Sequence, residues 1–123
     1  KQEFTVPNLV VDTGLDFIAS RMKDATATAM SHMTVGTGTT AVDAADTALE
    51  TEAARVALTS TTVTSSAVAY VATYPAGTGT GALTEAGILN AASGGTMLCR
   101  TVFSVINKGA ADSMTVTWTV TIS

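Results

Sequence analysis

Charge is scarce in this sequence, and basic charge scarcest. Only 13% of its 123 residues are Asp, Glu, Lys or Arg, six are basic, and the net charge is −4. A phosphate backbone is held by clustered Lys and Arg, so scattered cations argue against a nucleic-acid partner. A single cysteine, Cys99, cannot close an internal disulfide, and no paired Cys/His spacing marks a zinc site. Cys99 is expected to be a small apolar residue on a strand. No apolar run approaches the ~20 residues that span a bilayer, so no membrane partner is expected. The opening Lys1-Gln2-Glu3-Phe4-Thr5 lacks the apolar core of a signal peptide, and export by that route is not expected.

What is abundant is threonine in alternation with apolar residues. From Ser113 to Ser123, Met114, Val116, Trp118, Val120 and Ile122 alternate with Thr115, Thr117, Thr119 and Thr121. Side chains on a strand point to opposite faces with period two, which predicts one strand with an apolar face and an uncharged threonine face. Its β-branched content and its tryptophan suggest the central strand of the domain, with Trp118 as a core anchor. The length and an apolar content of 46% suit one domain over residues 1–123.

Toward the N-terminus, Val11, Leu15, Ile18, Ala19 and Met22 fall at helical spacing, and Asn8 is placed to cap. This predicts an amphipathic helix over about residues 9–22, with Gly14 where the helix passes close to another backbone. A short strand is expected over Ser31–Val35. His32, the sole histidine, has no serine, cysteine or carboxylate arrangement to recruit it and reads as structural.

Gly36-Thr37-Gly38-Thr39-Thr40-Ala41 has the spacing of a dinucleotide fingerprint. The fingerprint needs a helix N-terminus facing the phosphates, whereas Val42-Asp43-Ala44-Ala45-Asp46 supplies turn formers and negative charge. No cofactor is therefore expected, and Gly77-Thr78-Gly79-Thr80-Gly81 reads likewise as a flexible loop or bulge. A capping-box pattern at Thr47–Glu50 allows a brief helical turn. Paired strands are expected over about 55–64 and 67–74, with Tyr70 and Tyr74 on one face, and a second hairpin over 83–90 and 96–103. About six strands with one principal helix give the expected class: all-β, a mainly antiparallel, jelly-roll-like β-sandwich with one N-terminal amphipathic helix.

Residues 56–123 contain only Glu85, Arg100, Lys108 and Asp112 as charged side chains. Catalysis needs convergent ionisable groups, so no enzyme activity, catalytic residue or metal site is expected. Surface so poor in charge suits a chain covered by copies of itself or by a partner. The lone charges Arg55 and Glu85 are expected to meet as an ion pair tying the 47–55 segment to the 83–90 strand.

Several segments resemble, in order, small tailed-bacteriophage virion proteins. They are Asn8–Leu15, His32–Thr40, Leu49–Arg55, Thr84–Asn90, Met97–Phe103 and Lys108-Gly109, followed by the alternating strand. The resemblance covers most of the chain, and the order of the segments carries it. It implies a structural protein of the virion, with short versions resembling capsid cement or decoration proteins that clip major capsid subunits together, many copies to a particle. A similar pattern opens tail-collar and tail-fibre proteins, so a small tail, neck or collar component is the alternative. The chain given has no coiled-coil, collagen-like or repeat extension after Ser123 to build a fibre shaft, which favours the cement reading. Gly36, Thr37, Gly38, Thr39 and Thr40, with Gly77, Thr78, Gly79, Thr80 and Gly81, are the candidate contact loops; Arg55, Glu85 and Trp118 are the candidate structural residues.

Overall fold

A computed structural model describes residues 8–23 and 27–122. Among these residues the fold is mostly antiparallel β with a single short helix. Its elements are β1 (Leu9–Val10), α1 (Asp12–Lys23), β2 (His32–Gly36), β3 (Glu52–Ala57), β4 (Ser60–Thr64), β5 (Ala67–Tyr74), β6 (Gly81–Leu89), β7 (Met97–Lys108) and β8 (Met114–Thr121). They form a five-stranded sheet in the order β1-β7-β6-β2-β3 and a three-stranded sheet in the order β4-β5-β8. Met33, Val35, Leu83 and Ile88 of the first sheet cluster with Tyr70, Tyr74, Trp118 and Val120 of the second in one apolar core.

The last strand alternates as its sequence demands: Trp118 and Val120 are buried and all four threonines are exposed. It is not the central strand, however. Among the described residues β8 pairs with β5 alone, with Trp118 opposite Tyr70 and Met114 opposite Tyr74, and so lies at the sheet's edge. A half-buried alternation specifies which face is inward; it carries no information on whether one or both edges are paired.

The expected strand over 55–64 is two strands in different sheets. The Leu58 amide donates to Ser31 O beside the first sheet and the Thr59 amide donates to Val71 O of the second, so the chain changes sheets at one peptide. The hairpins β4–β5 and β6–β7 agree with the sequence reading, although β7 continues without a break to Lys108. Eight strands rather than six result among the described residues.

The helix begins at Asp12, not near residue 9. Leu9 and Val10 pair with Arg100 and Cys99 instead, so Asn8, four residues before the helix, is not its cap. Gly14 lies where expected: a Cβ there would sit 2.2 Å from Leu98 O, so only glycine lets the helix rest on β7. That contact sets the helix's rotation and corrects its predicted face. Val11 and Gly14 are buried and Phe17 and Ile18 half-buried, whereas Leu15 is 55% and Met22 82% exposed.

No helical turn forms over Thr47–Glu50. Residues 37–51 form instead an irregular connection across the face of the first sheet that points away from the second. There Leu49 joins Val11, Leu89 and Met97 in a small second apolar cluster.

Candidate contact surface

Both candidate loops lie at one end of the first sheet. Gly36 ends β2 opposite Glu85, and Gly81 begins the antiparallel β6, so the chain leaving β2 runs toward the start of β6. Gly79 packs within 3.3 Å of Val35 Cγ2 if given a Cβ, and Thr84 Oγ1 donates to Gly38 O at 2.7 Å. Within the loops the residues have two different roles. Gly36, Gly38 and Gly79 are buried, while Thr37, Thr39, Thr40, Gly77 and Thr80 are exposed and Thr78 and Gly81 half-buried. Gly36 sits at a β-bulge, and a Cβ on it would lie 2.2 Å from Thr51 O. Gly77, Gly79 and Gly81 take positive φ, which an L side chain rarely adopts.

The first loop is fastened from below by Glu85, which is fully buried. Its Oε2 accepts the amides of Gly38 (2.8 Å) and Thr51 (2.8 Å), and its Oε1 accepts the amide of Glu50 (3.0 Å). Arg100, only 1% exposed, donates through Nε (3.1 Å) and Nη2 (2.9 Å) to the same Oε1. Its remaining donors reach Asp46 Oδ2 (3.0 Å) and Thr40 O (3.0 Å). Burial by itself would raise the Glu85 pKa; the amides of Thr51, Glu50 and Gly38 and the guanidinium outweigh it and hold the carboxyl below its ordinary value. Glu50, on the surface, is also held low, first by the Thr40 hydroxyl and then by the Thr40 and Thr39 amides.

Arg55 is therefore not the partner of Glu85. β2 separates β3 from β6 in the sheet, so Arg55 and Glu85 are not on neighbouring strands. Arg55 pairs with Glu52 at 2.8 Å and donates to Ala91 O and Gly94 O, tying β3 to the loop after β6. Arg100 was the missed residue. Signals for it were present: it lies on the strand that pairs with β6, opposite Gly87, two positions from Glu85 on the same face. Asp46 and the amides of the connection had no such signal, because irregular chain has no period to read.

Trp118 is buried in the core, as expected of an anchor, and its Nε1, like the Tyr74 hydroxyl, has no hydrogen-bond partner among the described residues. Cys99 is fully buried, and burial pushes its thiol up to about 12. His32 Nδ1 is 2.8 Å from the Ser31 hydroxyl, within β2 and away from the loops. An open apolar groove of about 270 Å³ runs between α1 and the second sheet, lined by Phe17, Ile18, Met22, Val68 and Val120 among others. It lacks the convergent polar groups that orient a small ligand.

The second sheet has a different character. β4, β5 and β8 contain no charged residue at all. Its outward face consists of Ser60, Thr62 and Thr64, then Ala67, Ala69, Val71 and Thr73, then the four threonines of β8. The described acidic groups lie elsewhere, on α1, the 37–51 connection, β3, β6 and the turn at Asp112. Among the described residues no group of three or more His, Cys, Asp or Glu could hold a metal ion, and no helix is long and apolar enough to cross a membrane. Comparison with protein-family models, with curated proteins and with solved structures gave no match for this chain.

Proposed function

We propose that this chain is a structural protein of a tailed-bacteriophage virion, a capsid cement protein that bridges neighbouring major capsid subunits in many symmetric copies. It acts by binding, not by catalysis. The observation that carries this reading is the wholly uncharged second sheet beside a segregated set of acidic groups. A free domain solubilises its surface with mixed charge, whereas a face of methyls and hydroxyls is suited to being covered. The ordered resemblance of the sequence to small virion proteins points the same way. The exposed Thr37, Thr39, Thr40, Gly77 and Thr80 are the contact tips, and the Glu85–Arg100 pair holds the first of them in a fixed shape, which lowers the entropy lost on docking.

A protein that binds assembled shell but not separated subunits stabilises the shell by RT ln(1 + [L]/Kd) at each site, and the effect is repeated over every copy. The test compares complete particles with particles lacking this protein under heating and osmotic shock, while imaging where the protein sits. Shells that rupture earlier without it, with density across capsid seams, support the reading. Density confined to the tail, with shells equally robust, overturns it in favour of a tail, neck or collar component.

A further inference from the structure

Among the described residues most sheet margins are short or guarded. β3 carries Glu52 and Arg55, β1 has two residues, and β4 has five. Besides β8, β7 past its two-residue pairing with β1 also leaves residues 101–108 without a neighbouring strand, a stretch that ends in a lysine. β8 has eight residues, pairs with β5 in unbroken register, and contains no charge, proline, glycine or bulge. Such an edge is a template for another strand, and proteins that leave it free normally blunt it with those very devices.

The phase of its hydrogen bonds identifies what the edge offers. The Ile122 amide donates to Ser66 O at 2.8 Å, just beyond the strand. Main-chain groups alternate sides along an antiparallel strand, so even-numbered residues of β8 turn theirs to β5. The Thr59 amide bonding to Val71 O on the far side of β5 fixes the same phase independently. Thr115, Thr117, Thr119 and Thr121 therefore turn their N–H and C=O groups to the open margin.

We propose that two copies of this chain pair edge to edge through β8, antiparallel about a two-fold axis at Trp118. Directly opposed residues point to the same face, so the copies must meet odd against odd to keep threonines outward and apolar residues inward. Of the registers that do so, the one centred on Trp118 sets Thr117 against Thr119 and Thr115 against Thr121, and it alone pairs every open main-chain group of all four threonines. A two-fold axis also brings like residues together, which costs nothing here because β8 has no charge to repel its copy. The product is a continuous six-stranded sheet with one uncharged face. This pairing concerns the free chain and does not rest on the cement reading.

Sedimentation and light scattering on the purified full chain at tens of micromolar test it. The expected mass is about twice 12.4 kDa, and a monomer overturns the proposal. Thr117→Lys, which places two like charges near the axis, is expected to give a monomer with unchanged circular dichroism, while Thr62→Lys on β4 leaves the dimer intact. Cysteine pairing tests the register even if the lysine variant folds poorly. Directly opposed strand residues lie at about 5.5 Å between Cα atoms and diagonal ones at about 7–8 Å, and a disulfide spans only the former. Mild oxidation should therefore couple Thr117→Cys to Thr119→Cys in a mixture far faster than either couples to itself, with the buried Cys99 standing aside. Equal self-coupling, or a dimer that survives Thr117→Lys and dissociates with Thr62→Lys, overturns the assignment to this edge.

Discussion

The Tyr74 side chain is fully buried and its hydroxyl is unpartnered among the described residues. Burial, and then the charge of Glu52, push its pKa well above the ordinary phenol value, so the group stays neutral. A buried polar atom without a partner costs about 1–3 kcal/mol. Tyr74→Phe removes that atom without opening a cavity, so denaturant unfolding should show a higher midpoint at unchanged slope; a lower midpoint would refute the orphan hydroxyl. Arg100 is the opposite case, a buried cation whose removal leaves the buried Glu85 carboxylate without its counter-charge, at about 3–5 kcal/mol. Arg55→Ala breaks a partly exposed pair and two bonds to carbonyls, at about 1–3 kcal/mol. Thermal melts should therefore rank Arg100→Ala below Arg55→Ala, and the reverse order would place the stronger tie at the 91–94 loop. The sequence showed that Glu85 stands alone among apolar neighbours and that Trp118 belongs in a core. It did not show the partner of Glu85, because pairing depends on which strands adjoin, and β2 inserts itself between β6 and β3.

Among elements, the hairpins were legible and the helix only partly so. Alternation with period two marked β5 and β8, which bury one face against the core, while the glycine-rich 91–95 loop marked the β6–β7 hairpin, whose strands are buried on both faces over residues 83–89 and 97–101. Periodicity put Val11, Leu15, Ile18, Ala19 and Met22 on one apolar face, whereas the structure buries the side of Val11 and Ile18 and leaves Leu15, Ala19 and Met22 exposed. The buried side is set by Gly14 against Leu98 O, a backbone contact that hydropathy does not register. This gives a prediction in which two effects compete. Gly→Ala inside a helix gains about 1 kcal/mol in propensity, while overpacking a tight contact costs typically 1–3 kcal/mol. With the added Cβ only 2.2 Å from a backbone oxygen that no rotamer change can move, the clash wins. Gly14→Ala should lower the melting temperature, and a rise would show that α1 can lift from β7 at little cost. The division of 52–64 into β3 and β4 and the edge position of β8 were not legible, because both depend on which sheet a strand joins rather than on its own composition.

For the whole molecule, one carboxylate joins the two layers of the first sheet's outer side. Glu85 accepts the amide of Gly38 near the start of the 37–51 connection and those of Glu50 and Thr51 at its end, so it closes that segment like a clasp. Its pKa is lowered in the folded state. The stabilisation this represents is complete above the ordinary glutamate value of about 4.3 and is lost as pH falls through the lower folded value, because the unfolded chain takes up the proton first. Stability should thus fall with acid below about pH 4.3, and Glu85→Gln should flatten that limb while lowering stability at neutral pH. Glu50, also lowered, adds to the same limb in the variant, so flattening is partial. Hydrogen exchange locates the effect. In Glu85→Gln the amides of Gly38, Glu50 and Thr51 should exchange faster while those of β5 facing β8 remain protected, since the second sheet makes no bond to the clasp. An acid limb of unchanged slope, with those three amides as protected as before, would mean that the connection is held by Leu49 in the second apolar cluster rather than by the carboxylate.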